Sequence, residues 1–304
     1  MLIVLVVIIG TALIISKEIS MVVTDIGNSS GKINDKIAAL QNYISTRFNV
    51  DSATALNWLS NSKDKLLAIS GEVASGALSL TTNFMGGLVV VMVYIFCFLL
   101  YNRSFRSFAF ALMGSERQDE ASSIIGNIQK LVQNYLIGLI TVIFIIGVCN
   151  SIGLLIIGVD HAIFFAFFAA MMTIVPYIGI FLGAFLPIIY ILLTKDSAWP
   201  ALGVFGVFAT VQFLESNFIT PKIVGSKVSV NPFVAIVALI IAGELWGIPG
   251  MLLSIPMTAI LKLLLDTRPK TRALGYFLGS EFTDKKNDPA KLFGKQPDES
   301  VPPK

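Results

Sequence analysis

Long apolar blocks alternate with short polar connections along most of the chain. Between Thr81 and Leu265 the blocks run for about 15–25 residues, roughly the length that a helix needs to cross the hydrocarbon core of a bilayer. Residues 142–146 illustrate the pattern, because they are apolar at every position rather than at every second one. The pattern therefore predicts an all-α fold, a polytopic bundle of membrane helices.

The blocks define eight hydrophobic segments, some of them short or interrupted by proline. Pro176 alone separates the fourth segment from the fifth, and a proline at that place removes an amide donor and bends the chain. This pair forms either two crossings or one re-entrant hairpin, and both arrangements fit the pattern. The eight segments are residues 1–16, 81–101, 134–159, 162–175, 177–194, 199–219, 233–246 and 248–265.

Residues 17–78 differ from the rest of the chain because charged side chains are frequent there. An apolar stripe recurs at helical spacing within them, at Ile33, Ile37, Leu40 and Ile44. We therefore expect a soluble amphipathic helical segment whose stripe packs on the membrane domain, pairs with a neighbouring subunit or rests on the lipid surface.

Changes in polarity divide the chain into six regions. The polar linker is expected to form two helices broken near Gly114, and roughly the last 25 residues, rich in Lys, Asp and Pro, are expected to be disordered. The regions are a first membrane helix (1–16), an extracytoplasmic amphipathic segment (17–78), a membrane helix (79–101), a cytoplasmic linker (102–133), a membrane transport core (134–266) and a cytoplasmic tail (267–304).

Composition supports a membrane location, and charge indicates orientation. With 55% hydrophobic and 13% charged residues and a mean hydropathy of +0.80, a soluble protein of this length could not bury its apolar surface. The basic residues lack an aromatic-interleaved face, which argues against a nucleic-acid partner. By the positive-inside rule, we expect the cytoplasmic side to hold Arg103, Arg106, Lys222, Lys227 and residues 268–272, and also both termini if all eight segments are crossings.

Few residues support enzymatic or metal chemistry. Cys97 and Cys149 lie inside apolar segments, where a thiol behaves as a small buried hydrophobe, so no disulfide framework is expected. His161 is the one histidine, and the sequence holds no Walker motif, nucleophile elbow or metal-ligand pair. We therefore expect no enzyme activity, no metal and no cofactor.

An acidic residue inside an apolar segment is the strongest candidate for function. A carboxylate within a bilayer costs about 2–4 kcal/mol unless it faces a cavity or a partner. Glu215 lies near the end of the sixth segment, with Gln212 and Ser216 at helical neighbour spacings. We favour a proton or cation acceptor, or a gate paired with Lys222, over an acid that sits at the level of the lipid headgroups.

Three further titratable residues are secondary candidates. Glu244 is close to Trp246, which favours a solvated carboxylate at the membrane interface. Asp160 and His161 lie together at the predicted outer mouth of the third segment, where His161 could titrate near neutral pH beside a carboxylate. For this pair a solvated loop is the favoured interpretation.

Prolines inside apolar segments predict broken helices, whose free amides and carbonyls can bind solute. The alternative is a set of kinks that fit one helix around another. Residues 217–232 form a polar, proline-punctuated connection between two apolar segments, and we expect function to lie there. Residues 179–183 and 243–247 fit the small-x-x-x-small pattern of close helix packing. The prolines are Pro176, Pro187, Pro221, Pro232, Pro249 and Pro256.

Several short motifs follow one another in order within residues 81–266. They are Val-Pro-Tyr-Ile-Gly at 175–179, Glu-Ser-Asn at 215–217, Thr-Pro-Lys-Ile-Val-Gly at 220–225 and Asn-Pro at 231–232. In this order they resemble the autoinducer-2 exporter family of permeases. The resemblance implies a bacterial or archaeal inner-membrane protein, homo-oligomeric assembly and export of a small solute.

The resemblance also implies roles for individual residues and an additional N-terminal segment in the family. The family carries one more hydrophobic hairpin ahead of the segment at Met1, so we expect that hairpin to be missing here. Two groups of residues would form the transport machinery. Those for transport or coupling are Glu215, Asn217, Lys222 and Gln212, and those for helix breaks or gates are Pro176, Tyr177, Gly179, Pro187, Pro221, Gly225 and Pro232.

Three functions remain open, and each has a lipid bilayer as its setting. The leading hypothesis is a secondary permease that exports a small polar solute, similar to autoinducer-2. The first alternative is a sodium–proton antiporter, in which Glu215 binds either cation in turn. The second alternative is a non-transporting scaffold, whose residues 17–78 recruit partners.

Overall fold

The computed structural model describes residues 2–48, 87, 90–113, 118–173, 178–225, 230–268 and 270–280. Within these residues every regular element is helical, which confirms the predicted all-α membrane fold. Two π-helical segments, π1 (Glu215–Ile219) and π2 (Pro221–Gly225), follow α8. The α-helices are α1 (Leu2–Asn28), α2 (Ser30–Phe48), α3 (Val90–Leu100), α4 (Asn102–Met113), α5 (Gln118–Ile157), α6 (Ala162–Met172), α7 (Ile178–Thr194), α8 (Trp199–Leu214), α9 (Pro232–Trp246), α10 (Ile248–Asp266) and α11 (Arg272–Leu278).

Three of the described helical stretches are long and apolar enough to cross a membrane. They are Ala121–Ile157, Trp199–Ile223 and Ile248–Asp266. Large apolar side chains on these stretches remain exposed, for example Phe144 at 60% and Phe205 at 62%. Such surfaces are stable when lipid tails, rather than water, surround them.

Helix ends follow the predicted regions only in part. α1 continues without a break past residue 16 to Asn28, so the polar start of the amphipathic segment belongs to the same helix as the first membrane segment. α4 ends at Met113 and α5 begins at Gln118, on either side of the break predicted near Gly114. Residues 49–86 and the tail after residue 280 lie outside the described residues.

One of two compact units comprises Met1–Ser104, Gly147–Ala170 and Phe181–Val211. Its core is built from buried apolar side chains on α1, the end of α5, α6, α7 and α8. The contribution of α1 is Val22, which is 6% exposed. The largest fully buried side chains include Leu154, Phe165, Tyr190, Ile191 and Val204.

Within this unit α6 and α7 pack against each other as an antiparallel pair. The ring centroids of Phe165 and Tyr190 lie 5.1 Å apart. A Cβ added at Gly183 would meet the Cα of Ala169 at 2.8 Å, so a glycine is needed for this approach. The 11 residues of α6 extend over about 16 Å and the 17 residues of α7 over about 26 Å, both shorter than the hydrocarbon thickness of about 30 Å.

The other unit comprises Phe105–Ile146, Met171–Ile180 and Gln212–Lys304. In it, α9 and α10 form a tight hairpin around Gly247, whose φ of 65° is a left-handed value that favours glycine. A Cβ added at Gly250 would lie 2.0 Å from the carbonyl oxygen of Ala242. The hairpin therefore depends on both glycines.

Asn231 fixes the start of α9 in the same unit and is 3% exposed. Its side-chain oxygen accepts a hydrogen bond from the N–H of Phe233 at 3.0 Å, and its own N–H donates to the carbonyl of Leu278 at 2.8 Å. Pro232 occupies the first turn of α9, where an N–H group has no acceptor within the helix, so its absence costs no hydrogen bond. The Asn-Pro motif thus caps α9 and ties its start to the end of α11.

Candidate functional site

The polar segment that follows α8 is wound more widely than an α-helix. The N–H of Thr220 donates to the carbonyl of Glu215, five residues earlier, as in a π-helix. Pro221 opens the second π segment, which ends at Gly225. Because π turns occur mostly in short pieces at functional sites, the two segments mark this region as the candidate site.

Three neighbouring side chains donate hydrogen bonds to the carboxylate of Glu215. Gln212 donates through its amide and Ser216 through its hydroxyl at 3.1 Å, both to Oε2. Thr220 donates to the other oxygen, Oε1. The π turn makes this arrangement possible, because it brings residues five apart onto one side of the helix. We refer to Gln212, Glu215, Ser216 and Thr220 as the Glu215 cluster.

The Glu215 cluster lies inside the apolar stretch Trp199–Ile223, which is long enough to cross a membrane. A carboxylate at the centre of such a helix costs about 2.5–3.5 kcal/mol on insertion scales. The three donors offset this cost, since a hydrogen bond to a charged group contributes about 1.5–3 kcal/mol. The cluster combines one acid with neutral amide and hydroxyl groups, which suits a proton, a cation or the donor groups of a polar solute.

Asn217 and Lys222 were predicted to act with Glu215, but within the described residues neither side chain forms a hydrogen bond or ion pair with its carboxylate. The side-chain amide of Asn217 donates to the carbonyl of Phe213 at 2.8 Å, within its own helix. Lys222 is exposed on π2, and the ion pairs in the described part of the chain do not include one between Lys222 and Glu215. The structure therefore brings Gln212, but not Lys222, to the carboxylate.

The predicted helix-break residues occupy distinct helix positions. Gly179 lies in the first turn of α7, where an added Cβ would overlap the carbonyl oxygen of Met172. Pro176 and Tyr177 lie outside the described residues, and a gating role stays a prediction for all seven. The other four are Pro187, fully buried inside α7, Pro221 at the start of π2, Gly225 at its end, and Pro232 at the start of α9.

Glu244 lies apart from the Glu215 cluster along the chain. It is exposed in the last turn of α9, two residues before Trp246, which is 61% exposed. An exposed acid beside an exposed tryptophan matches the interfacial position that the sequence favours. Glu244 therefore serves as a comparison for Glu215 rather than as part of its cluster.

Asp160 and His161 lie between α5 and α6, and each has a charged partner. Oδ2 of Asp160 is 2.6 Å from Nζ of Lys195. Nδ1 of His161 is 2.8 Å from Oε2 of Glu18, and Nε2 is 3.0 Å from Oδ2 of Asp25. Burial by itself lowers the pKa of His161, but Asp25 and Glu18 outweigh this effect, and the pKa is raised above its ordinary value. The sequence favoured a solvated loop pair, whereas in the structure Asp160 pairs with Lys195 and His161 lies at hydrogen-bond distance from two acids.

Three of these partners, Thr220, Glu18 and Asp25, were not predicted from the sequence. Thr220 follows Glu215 by five residues, a spacing that fits a π-helix but not the three or four of an α-helix. Glu18 and His161 are 143 residues apart, and their contact depends on tertiary packing. The one local signal is that Glu18 and Asp25 are seven residues apart, which places both on one face of α1.

The fold and the Glu215 cluster together define a class of protein. Apolar helices of unequal length, a tight α6–α7 pair and a hydrogen-bonded acid inside a membrane-spanning stretch are typical of membrane transporters. Comparison with known protein families gives the same class and a particular family, because residues 1–270 match the AI-2E family transporter. The chain belongs to this family, and the resemblance found in the sequence is confirmed.

Individual relatives are named as transport proteins. YrrI of Bacillus subtilis (strain 168) is 32% identical over 144 residues, which cover 47% of this chain and 40% of YrrI. YueF of the same organism is 29% identical over 188 residues, 62% of this chain and 50% of YueF. A transport protein of Haemophilus influenzae is 28% identical over 236 residues, 76% of this chain and 62% of its own length. The chain thus spans about half the length of these curated relatives.

Proposed function

We propose that this protein is a secondary transporter that exports a small polar solute, similar to autoinducer-2, across the inner (plasma) membrane. The observation that carries the proposal is the Glu215 cluster, an acid with three neutral donors inside a membrane-spanning stretch of an AI-2E family chain. An intramembrane acid is costly, and such residues mark substrate or ion pathways. We therefore assign solute contact to this cluster.

The cluster can exchange its internal hydrogen bonds for bonds to a solute. The hydroxyls of Ser216 and Thr220 rotate freely, so they can turn from Glu215 to acceptor atoms of the solute. The freed carboxylate oxygens then accept hydrogen bonds from solute hydroxyl groups. An apolar solute has no hydrogen-bonding group to exchange with these donors, so it would gain no hydrogen bond from the cluster. The cluster thus selects polar solutes.

A gradient of the solute, of protons or of sodium would supply the energy for export, since the sequence lacks an ATP-binding loop. The basic connections along the chain support cytoplasmic termini. We further infer a homo-oligomer, as the family resemblance implies. Lys222 and the proline breaks at Pro221 and Pro232 would then flank the solute route.

A sodium–proton antiporter is the second candidate, and one specific observation favours it. The atoms around the Glu215 carboxylate include the hydroxyl oxygens of Ser216 and Thr220, and hard cations prefer such oxygen ligands. No lysine or arginine contacts the carboxylate within the described residues, which leaves its charge available to a cation. Sodium and a proton could therefore compete for one carboxylate.

Reconstitution into liposomes that contain a pH-sensitive dye distinguishes these functions. We expect that liposomes preloaded with autoinducer-2 release it faster with the protein than without it. A sodium gradient applied without organic solute should change the internal pH little. Proton flux driven by a sodium gradient alone would instead support the antiporter hypothesis over the exporter hypothesis.

The same preparation tests the scaffold hypothesis. Folded, correctly inserted protein that moves neither autoinducer-2 nor protons under any of the three gradients would contradict transport by this chain. In that case Ile37→Ser, in the apolar stripe of α2, should abolish the cellular function while Glu215→Gln leaves it intact.

A further inference from the structure

The contacts of His161 require more protons than a neutral histidine carries. Both ring nitrogens face a carboxylate, since Nδ1 is 2.8 Å from Glu18 Oε2 and Nε2 is 3.0 Å from Asp25 Oδ2. A neutral imidazole has one N–H donor and one acceptor, while an ionised carboxylate only accepts. Both contacts become hydrogen bonds only when the three groups share one additional proton.

We propose that Glu18, Asp25 and His161 form a proton-binding site which, when occupied, fastens α1 to the connection between α5 and α6. This proposal concerns the unit that contains α1 and does not depend on transport at Glu215. The two carboxylates approach opposite nitrogens of the ring at hydrogen-bond distances of 2.8 and 3.0 Å, so the ligand that fits between these atoms is a proton.

The positions of the two acids on α1 suit this role. Glu18, Val22 and Asp25 follow the spacing of one helix face, and the two acids are about 10 Å apart along the axis. Val22 lies between them and is buried in the core. One imidazole therefore contacts both ends of the stripe by which α1 packs onto its unit, and losing the proton weakens both ends together.

The backbone holds His161 in a conformation that few residues adopt. Its φ is 57°, the one positive φ of a non-glycine residue within the described part of the chain. Such a left-handed conformation costs roughly 1–2 kcal/mol, although histidine tolerates it better than most residues. The two carboxylate contacts compensate this cost, which indicates that the ring is held in place for a purpose.

The remaining charged and titratable groups around the site are already paired. Tyr190 on α7 donates its hydroxyl to Asp25 Oδ2 at 3.0 Å, and its ring meets His161 edge-on. Asp160 pairs with Lys195 at 2.6 Å. The partners on α2 are Lys32, which pairs with Asp196 at 2.9 Å, and Lys36, which donates to the carbonyls of Leu192 and Lys195. None of these lysines contacts Glu18 or Asp25, so within the described residues protonated His161 supplies the one positive charge in contact with the two acids.

The direction of the pH dependence follows from the raised pKa of His161. A group whose pKa rises on folding contributes its full stabilisation below the ordinary histidine value of about 6.5. That contribution disappears as the pH increases through the raised pKa. The site therefore holds its proton below about pH 6.5 and releases it, loosening α1, as the pH increases through the raised pKa of His161.

The 304 residues given by the sequence include one histidine, which allows a direct test on this chain, without a histidine tag, in nanodiscs. With nitrogen-15 in the imidazole, NMR reports one titration, and we expect its midpoint above the ordinary histidine value of about 6.5, because Asp25 and Glu18 raise the pKa of His161. Glu18→Gln and Asp25→Asn should each lower this midpoint. Asp35→Asn, an exposed acid on α2, is the matched control and should leave it unchanged.

Hydrogen exchange tests whether the proton fastens α1. After correction for intrinsic rates, amide exchange in residues 18–28 should rise as His161 loses its proton, with the same midpoint as the NMR titration. In Glu18→Gln/Asp25→Asn protein, exchange should be fast at every pH. Any of three results would overturn the proposal. They are a titration midpoint at or below about 6.5, a midpoint that neither substitution changes, and amide exchange that does not change as His161 titrates.

Discussion

Glu215→Gln is expected to reduce solute export by roughly 10- to 100-fold in reconstituted liposomes. The substitution retains the size of the side chain but removes its charge, and hydrogen bonds to a charged group are worth about 1.5–3 kcal/mol. The amide also turns one acceptor oxygen into a donor, so the hydroxyl of Ser216 or Thr220 loses its partner. The measurement is the initial rate of autoinducer-2 release, normalised to the amount of inserted protein.

Glu244→Gln provides the matched control for this prediction. Glu244 is also an acid on an apolar helix, but it is exposed beside Trp246 and outside the Glu215 cluster. Its replacement should leave the release rate within about twofold of the wild type, since surface substitutions change free energies by about 0.5 kcal/mol or less. Equal rates of autoinducer-2 release for wild type and Glu215→Gln would contradict a role of Glu215 in transport, whatever the control shows.

Gly250→Ala is expected to prevent stable folding of the α9–α10 hairpin. The new methyl group would lie 2.0 Å from the carbonyl oxygen of Ala242, where contacts between such atoms are normally near 3.5 Å. The atom it meets belongs to the backbone, so the two helices must separate. Overpacking of this kind costs about 1–3 kcal/mol and occasionally more. The measurement is the midpoint of thermal unfolding in detergent, together with the yield of monodisperse protein.

Gly206→Ala is the control for the packing argument. A Cβ at Gly206, on α8, meets no atom within 4 Å, and alanine has the higher helix propensity. This variant should unfold at the wild-type temperature or slightly above it. If both substitutions were tolerated equally well, the close approach of α9 and α10 would not be what stabilises the hairpin.

Sequence patterns could predict the helices because lipid imposes a simple rule. A helix in hydrocarbon needs apolar side chains on all faces, and this is visible without any knowledge of tertiary contacts. Close helix packing was also visible, through the glycine patterns at residues 179–183 and 243–247. Helix ends were less accessible, since α1 continues to Asn28 across the change in polarity at residue 16.

The candidate site could be predicted only in part. Glu215 and Gln212 were identified by polarity and α-helical spacing, but Thr220 enters the cluster through a π turn that this spacing does not describe. The partners of His161 come from α1 and depend on tertiary packing. A single sequence carries no signal for contacts of that kind.

The central claim is that the Glu215 cluster lines the solute route, and thiol labelling of Ser216→Cys tests it most directly. Cys97 and Cys149 would first be replaced by Ala, so that the new thiol is unique. We predict that a charged, membrane-impermeant methanethiosulfonate labels position 216 in intact membranes, and that autoinducer-2 slows the reaction. Phe205→Cys, on an exposed apolar face of α8, should remain unlabelled. Labelling of position 216 no faster than of position 205 would contradict the claim.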